Sequence, residues 1–152
     1  MSTPFTHQFR VRYAEVDPQA VVFNSRYLEY ADLVITEFWR TIGLHFSGED
    51  ALEFHVVKAE VEYIQPIRLD EMVEGRAFTS KIGNSSLTTQ IELWGTGDTG
   101  RSQGAADLRA RITLVNVHVD LESGKPLPIP AHARASLEQS LPSQTANPAE
   151  NI

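Results

Sequence analysis

Few residues in this chain could do chemistry. It contains no Cys, which removes a thiolate nucleophile, a disulfide framework and any Cys-based zinc site. Its five His residues (His7, His45, His55, His118 and His132) are scattered, with no helix-spaced pair to hold a metal. There is no G-x-S-x-G elbow for a serine hydrolase. Gly95, Gly97 and Gly100 fall in a hairpin loop rather than ahead of a helix, so they do not make a phosphate loop. What is left is one acidic turn. Asp17 lies in Glu15-Val16-Asp17-Pro18, and an apolar run, Val21-Val22-Phe23, leads from it into a helix. A carboxylate can serve as nucleophile or general base. The free N–H groups and positive dipole end of a helix can polarise a carbonyl oxygen. By residue type alone, an Asp before Pro is more often a plain turn former. Glu15, two residues away, reads as a bystander that faces solvent or pairs with Arg12.

The elements that must place this turn are readable from periodicity. Phe9, Val11 and Tyr13 alternate with Arg10 and Arg12, which predicts a first strand over Thr6–Tyr13. Pro18 breaks it. Asn24-Ser25 offers a helix cap. Tyr27, Leu28, Ala31, Val34, Ile35, Phe38 and Ile42 then recur at three-and-four spacing up to a natural stop at Gly43, predicting a helix over Ser25–Ile42. A second strand is expected over Phe54–Ile64, with Val57, Ala59, Val61 and Tyr63 on one face. After Pro66 and a polar turn at Arg68–Glu71 come strands over Met72–Ile82 and Ser86–Trp94, joined at Gly83-Asn84. A Gly-rich loop at 95–104 leads into a long strand, Ala105–Asp120. There the apolar parity shifts after Leu114 to Val115, Val117 and Val119, which a bulge or burial on both faces would explain. Pro126, Pro128 and Pro130 form a stiff arm before a short helix within Ala131–Leu141. The order gives an α+β domain, an antiparallel sheet of about five strands covered by one long helix. One domain is expected over residues 1–141, with 142–152 a disordered polar tail.

Composition narrows the function classes. The chain has 152 residues and a net charge of −7, which argues against a general nucleic-acid binder. The N-terminal residues lack an apolar signal core and no run reaches membrane-spanning length, so a cytoplasmic protein without a membrane partner is expected.

The run from Asp17 through Val21-Val22-Phe23-Asn24-Ser25-Arg26-Tyr27 to Tyr30 resembles the signature of the hotdog-fold acyl-CoA thioesterases, in the group of 4-hydroxybenzoyl-CoA thioesterase and YbgC-like proteins. The resemblance continues through Val56–Glu71 and ends near Lys125-Pro-Leu-Pro-Ile-Pro. One departure falls inside the turn, since Ala20 stands where the family usually has Gly. The resemblance implies a hotdog fold in which a curved sheet wraps the helix, and a homodimer or homotetramer with sites at the subunit interface. It implies Asp17 as the catalytic acid and the backbone N–H of Asn24 as the donor to the substrate carbonyl. A thioester suits so sparse a site, because the leaving thiolate has a pKa near ~8.5 and needs little acid assistance. Val22, Phe23 and Tyr27 lie beside the Asn24 donor and are candidates for substrate contact or for core packing; Ser86 matches a small polar position that borders the site in relatives, and Tyr13 is a further candidate border residue. For the phosphates of coenzyme A, Lys125 matches a family cation, whereas the cations expected before the fourth strand are replaced by Gly83, Asn84 and Ser85. Arg68 and Lys81 are further candidates. No cofactor is implied, since coenzyme A is part of the substrate. A thioesterase acting on acyl carrier protein, and a non-catalytic binder of acyl ligands, are the competing readings.

Overall fold

The computed structural model describes residues 4–142, so most of the expected tail lies outside the described residues. Its elements follow the order β1 (Phe5–Arg10), a single 3₁₀ turn at Tyr13–Glu15, α1 (Arg26–Thr41), β2 (Phe54–Tyr63), β3 (Met72–Ile82), β4 (Ser86–Gly95), β5 (Asp107–His118) and α2 (Ala131–Gln139). The five strands form one antiparallel sheet in the order β1-β3-β4-β5-β2. The first strand ends at Arg10, short of the expected Tyr13, because the chain turns into the 3₁₀ turn that precedes Asp17.

Helix α1 buries Tyr27, Tyr30, Ala31, Val34, Ile35, Phe38 and Trp39 against the sheet, the stripe its periodicity demands. It closes in the Schellman pattern, with Gly43 N–H donating to Arg40 O and Leu44 N–H to Trp39 O. Contact with the sheet is close at Gly75, where any Cβ would collide with Val34. Aromatic pairs seal the β1 side, Phe5 against Phe38 at 5.5 Å and Phe9 against Tyr30 at 4.6 Å between centroids.

Three expectations need adjusting. The helix is 16 residues, roughly 24 Å, and it does not cover the sheet alone. The nine-residue α2 extends that cover at the far end of β3, burying Ala133 and Leu137 in the same core and setting Ser140 Oγ 2.8 Å from Thr79 Oγ1. In β5 the face does not flip after Leu114. Asn116 and His118 continue the buried parity as polar residues, and Val115 and Val117 are half-buried on the other face. The bulge on β5 sits instead at Arg109, since Leu93 faces Ala110 while Trp94 faces Leu108. Finally, β2 presents both faces to solvent over most of its length, Val56 at 57% and Val57 at 61% exposure. Among the described residues it pairs with β5 alone, so its outer edge is open, as is that of the shorter β1 at the other side of the sheet.

Candidate functional site

The Asp17 turn is a miniature hairpin. Val16 bridges Val22, Asp17 N–H donates to Val21 O at 2.9 Å, and Phe23 N–H donates to Glu15 O at 3.1 Å. Pro18 and Gln19 form its bend, closed by Ala20 N–H to Asp17 O at 2.9 Å, and Gln19 N–H donates to Asp17 Oδ1 at 2.8 Å. Ala20 has φ +62°. That is the left-handed position a hairpin of this length needs after its bend, and it is where Gly fits without cost. Ala20 therefore takes, against its own preference, the conformation that Gly adopts freely.

Asp17 is half-buried, and among the described residues its Oδ2 accepts no hydrogen bond. Three residues after Val21 comes Asn24. The plane of the peptide joining Phe23 to Asn24 is fixed by Arg26 N–H donating to Phe23 O at 2.9 Å, and among the described residues the N–H of that peptide, on Asn24, has no acceptor. The next carbonyl, Asn24 O, accepts the Tyr63 hydroxyl at 2.9 Å. Ser25 occupies the N-cap position without a side-chain cap bond, and the first N–H groups of α1 turn back to the preceding loop, Arg26 to Phe23 O and Tyr27 to Asn24 O at 3.4 Å. A cavity of about 230 Å³ is lined by Val22, Asn24, Tyr27, Tyr63, Ile64 and Pro66, with Gln65 between the last two; Asp17 is not part of its lining. Val22 and Tyr27 are buried, and burial pushes the Tyr27 hydroxyl pKa up.

The other residues singled out in the sequence do not all converge here. Phe23 and Tyr13 are on the surface, at 50% and 83% exposure. Ser86 faces Val117, and Lys125 lies beside Asp120 in the turn after β5. Both are at the end of the sheet opposite the Asp17 turn, with the length of β3 between them, about 33 Å at strand rise. A second cavity of about 440 Å³ lies between α1, the connection after it and β2, lined by Asp32, Trp39, Phe46 and Phe54 among others; neither Asp17 nor Asn24 reaches it. Among the described residues, no helix is long and apolar enough to cross a membrane.

Two acidic residues matter more than their sequence context suggests. Glu15 does pair with Arg12, but it is buried, and it accepts Arg12 N–H at 2.8 Å and the Tyr30 hydroxyl at 3.1 Å. It thereby ties the base of the Asp17 hairpin to α1. Burial first, and then the Glu15 carboxylate, hold the Tyr30 phenol pKa above its usual value. Glu71 is buried against Arg109, under the segment on which the hairpin rests. The only sequence signal for either was a carboxylate beside a turn.

One helix laid on a five-stranded antiparallel sheet in this order is the layering of the hotdog-fold thioester hydrolases. The sequence model of the Thioesterase-like superfamily matches residues 11–137. The chain belongs to that family, and it is a thioester hydrolase. Acyl-CoA thioester hydrolase YbgC of Escherichia coli O6:H1 is 35% identical over 94 residues, which cover 59% of this chain and 69% of that protein. Acyl-CoA thioesterase YbgC of Haemophilus influenzae is 24% identical over 137 residues, covering 87% and 93% respectively. The crystal structure of a 4-hydroxybenzoyl-CoA thioesterase mutant complexed with 4-hydroxybenzoyl-CoA superposes with a TM-score of 0.77 at 16% identity, covering 90% of this chain and 99% of that one. At that identity the likeness speaks for the fold.

Proposed function

We propose that the protein hydrolyses acyl-CoA thioesters to free acid and coenzyme A, with Asp17 acting on the thioester carbonyl and the Asn24 N–H polarising it. The observation that carries this reading is that one short hairpin bears, among the described residues, an unclaimed carboxylate oxygen on Asp17 at its bend and leads to an unclaimed N–H on Asn24, a residue that lines a cavity. Two routes balance. In one, Asp17 attacks the carbonyl carbon, the C–S bond breaks to release thiolate, and water then cleaves the acyl anhydride. In the other, Asp17 takes a proton from a water that attacks directly. In both, negative charge develops on the carbonyl oxygen, where a fixed N–H and the helix dipole stabilise it most.

A second copy of the chain completes the reading. The open edge of β2, with Val56, Val57 and Tyr63 exposed along it, is a surface that a partner strand would cover. Antiparallel pairing of β2 with its symmetry mate would bring the partner's Ser86 and Lys125 end to the Asp17 end. That would reunite residues one protomer keeps apart and offer Lys125 to the coenzyme A phosphates. A homodimer, or a tetramer built from two, follows; sedimentation showing only monomer at micromolar concentration would count against it.

The test is thiol release from a panel of coenzyme A thioesters, aliphatic and aromatic, run beside the same acyl groups on acyl carrier protein. Turnover of the coenzyme A substrates is expected. Hydrolysis of carrier-protein substrates alone, or tight binding without turnover, would replace this reading with one of its two competitors.

A further inference from the structure

We infer that Arg109 and Glu71, a buried pair that touches neither Asp17 nor Asn24, are positioning residues that fix the Asp17 turn relative to the Asn24 N–H. The inference rests on the reading of Asp17 given above and extends it to a second layer of the molecule.

The starting point is the bulge. Arg109 is the extra residue on β5 between the Leu93–Ala110 and Trp94–Leu108 pairs. Bulges re-aim side chains. The Arg109 side chain is buried, whereas Arg111 stays exposed. Gly95 makes this possible, since a Cβ there would come within 2.5 Å of Arg109 Nη2. The guanidinium donates Nη1–H to Glu71 Oε2 at 2.7 Å and Nη2–H to Glu71 Oε1 at 2.8 Å, a two-pronged pair, and Nε–H to Asp107 Oδ1 at 2.7 Å. It also donates to Pro66 O at 2.7 Å, while Ile64 and Gln65 N–H donate to Arg109 O at 2.9 and 3.1 Å. Glu71 Oε2 in turn accepts Arg68 N–H at 2.7 Å, and Glu71 O accepts Val11 N–H at 2.9 Å.

One segment, 64–71, is therefore bolted at both ends to these two residues, and that segment carries the site. Val22 N–H donates to Ile67 O at 2.8 Å, Leu69 N–H donates to Ala20 O at 3.2 Å, and Val21 bridges Arg68. Ile64, Gln65 and Pro66 are also the wall of the cavity beside Asn24. The pair thus sets both the height of the Asp17 hairpin and the wall facing the carbonyl donor. It stays ionised at neutral pH. Burial would push the Glu71 carboxyl pKa up, but the bonds from Arg109 and Arg68 N–H hold it below the usual range, and the bond to Glu71 holds Arg109 above its own. A buried ion pair adds little stability over well-packed apolar side chains of similar volume. What it adds is direction, because a planar fork accepts only one arrangement of its partners.

That difference gives the experiment. In the full chain, Arg109→Met/Glu71→Met replaces the pair with apolar bulk, Arg109→Lys keeps charge but not the fork, and Asp17→Asn reports on the site itself. Melting temperature, kcat, KM and amide hydrogen exchange are measured on each. The double variant is expected to fold, with kcat lowered about 10- to 100-fold by displacement of reacting groups and KM little changed. Exchange at the Val22 and Leu69 amides should accelerate about tenfold or more while Ile91, in the middle of β4, keeps its protection. Arg109→Lys should fall between wild type and the double variant in both readouts, and it decides the matter if the double variant does not fold. Folded variants with kcat within about twofold of wild type, far short of a misplacement effect, or parallel loss of protection at Val22 and Ile91, would overturn the assignment and leave the pair a general support. If wild type hydrolyses no thioester, or Asp17→Asn is fully active, the reading of Asp17 fails and takes this one with it. Loss in Asp17→Asn with Arg109 variants intact removes the positioning role alone.

Discussion

The two ends of this sheet are fastened by different kinds of force. At the end holding the Asp17 turn, the chain is tied by directional polar bonds from buried charge. Arg109 holds Glu71 and Pro66, and Glu15 holds Arg12 and Tyr30. Arg10 and Asp98 form a further ion pair nearby, more exposed. At the other end, α2 lays Ala133 and Leu137 into the core with no exposed surface, beside Ile129 at 4% exposure. Its polar bonds go mostly to backbone, as where Arg134 donates to Gly83 O and Asn84 O. Apolar packing is non-directional and tolerates small shifts. Hydrogen-bonded ion pairs do not. The end that carries Asp17, the proposed reacting group, uses the second, and the end under α2 uses the first.

The sharpest way to break this contrast is at the reacting group. Asp17→Asn keeps the Oδ1 acceptor for Gln19 N–H and removes the charge, so kcat should fall on the order of 10²–10⁴-fold, while melting temperature stays near wild type. A turn-forming role alone would give the opposite pattern. Next in size, Leu137→Ala at the packed end should cost about 2–5 kcal/mol of stability and leave kcat of the folded fraction unchanged. A fall in kcat there would show that the two ends are not independent. Ala20→Gly should raise stability by about 1 kcal/mol, relieving a left-handed Ala; a lower melting temperature would show that the turn is held by something other than tolerance of that conformation. The smallest effect is confined to acid. Because the folded Glu71 pKa lies below its unfolded value, its contribution is present above about pH 4.3 and is lost as pH falls through the folded pKa. Glu71→Gln should therefore flatten the loss of melting temperature in that range relative to wild type. Unchanged acid sensitivity would mean that Glu71 has no lowered pKa to lose.

Much of this was legible in the residues because period reports which face is buried. Helix α1 and strands β3 and β4 lie where their spacing put them, within a residue or two. So does the short helix after Pro130. Two kinds of feature were not legible. Strand β2 reads as a half-buried strand, yet it is an edge whose apolar residues meet solvent in one protomer, and alternation cannot say whether the covering face belongs to the same chain. In β5 the parity shift after Leu114 pointed to a bulge there or to burial on both faces, and the second holds, with Asn116 and His118 buried and Val115 and Val117 half-buried opposite; the bulge itself is elsewhere. It lies at Arg109 because the buried positions there are filled by a charge, and a parity argument counts a charge as outward. For the same reason Glu15 read as a bystander and Glu71 as part of a polar turn. Asp17 and Asn24 were found through their place in a motif; their free atoms could be seen only once backbone partners were known.

Gly95 and Arg109 constrain the order in which this sequence can change. No side chain fits at 95 while the guanidinium is present, and a shortened residue at 109 leaves space there that a methyl could fill. Substitution at 95 first passes through a clash, whereas substitution at 109 first passes through a loosened turn. Sequences differing at both positions are thus neighbours in structure but separated in single steps. A double-mutant cycle of Gly95→Ala and Arg109→Met should show the two changes to be far from additive, each relieving part of the harm done by the other.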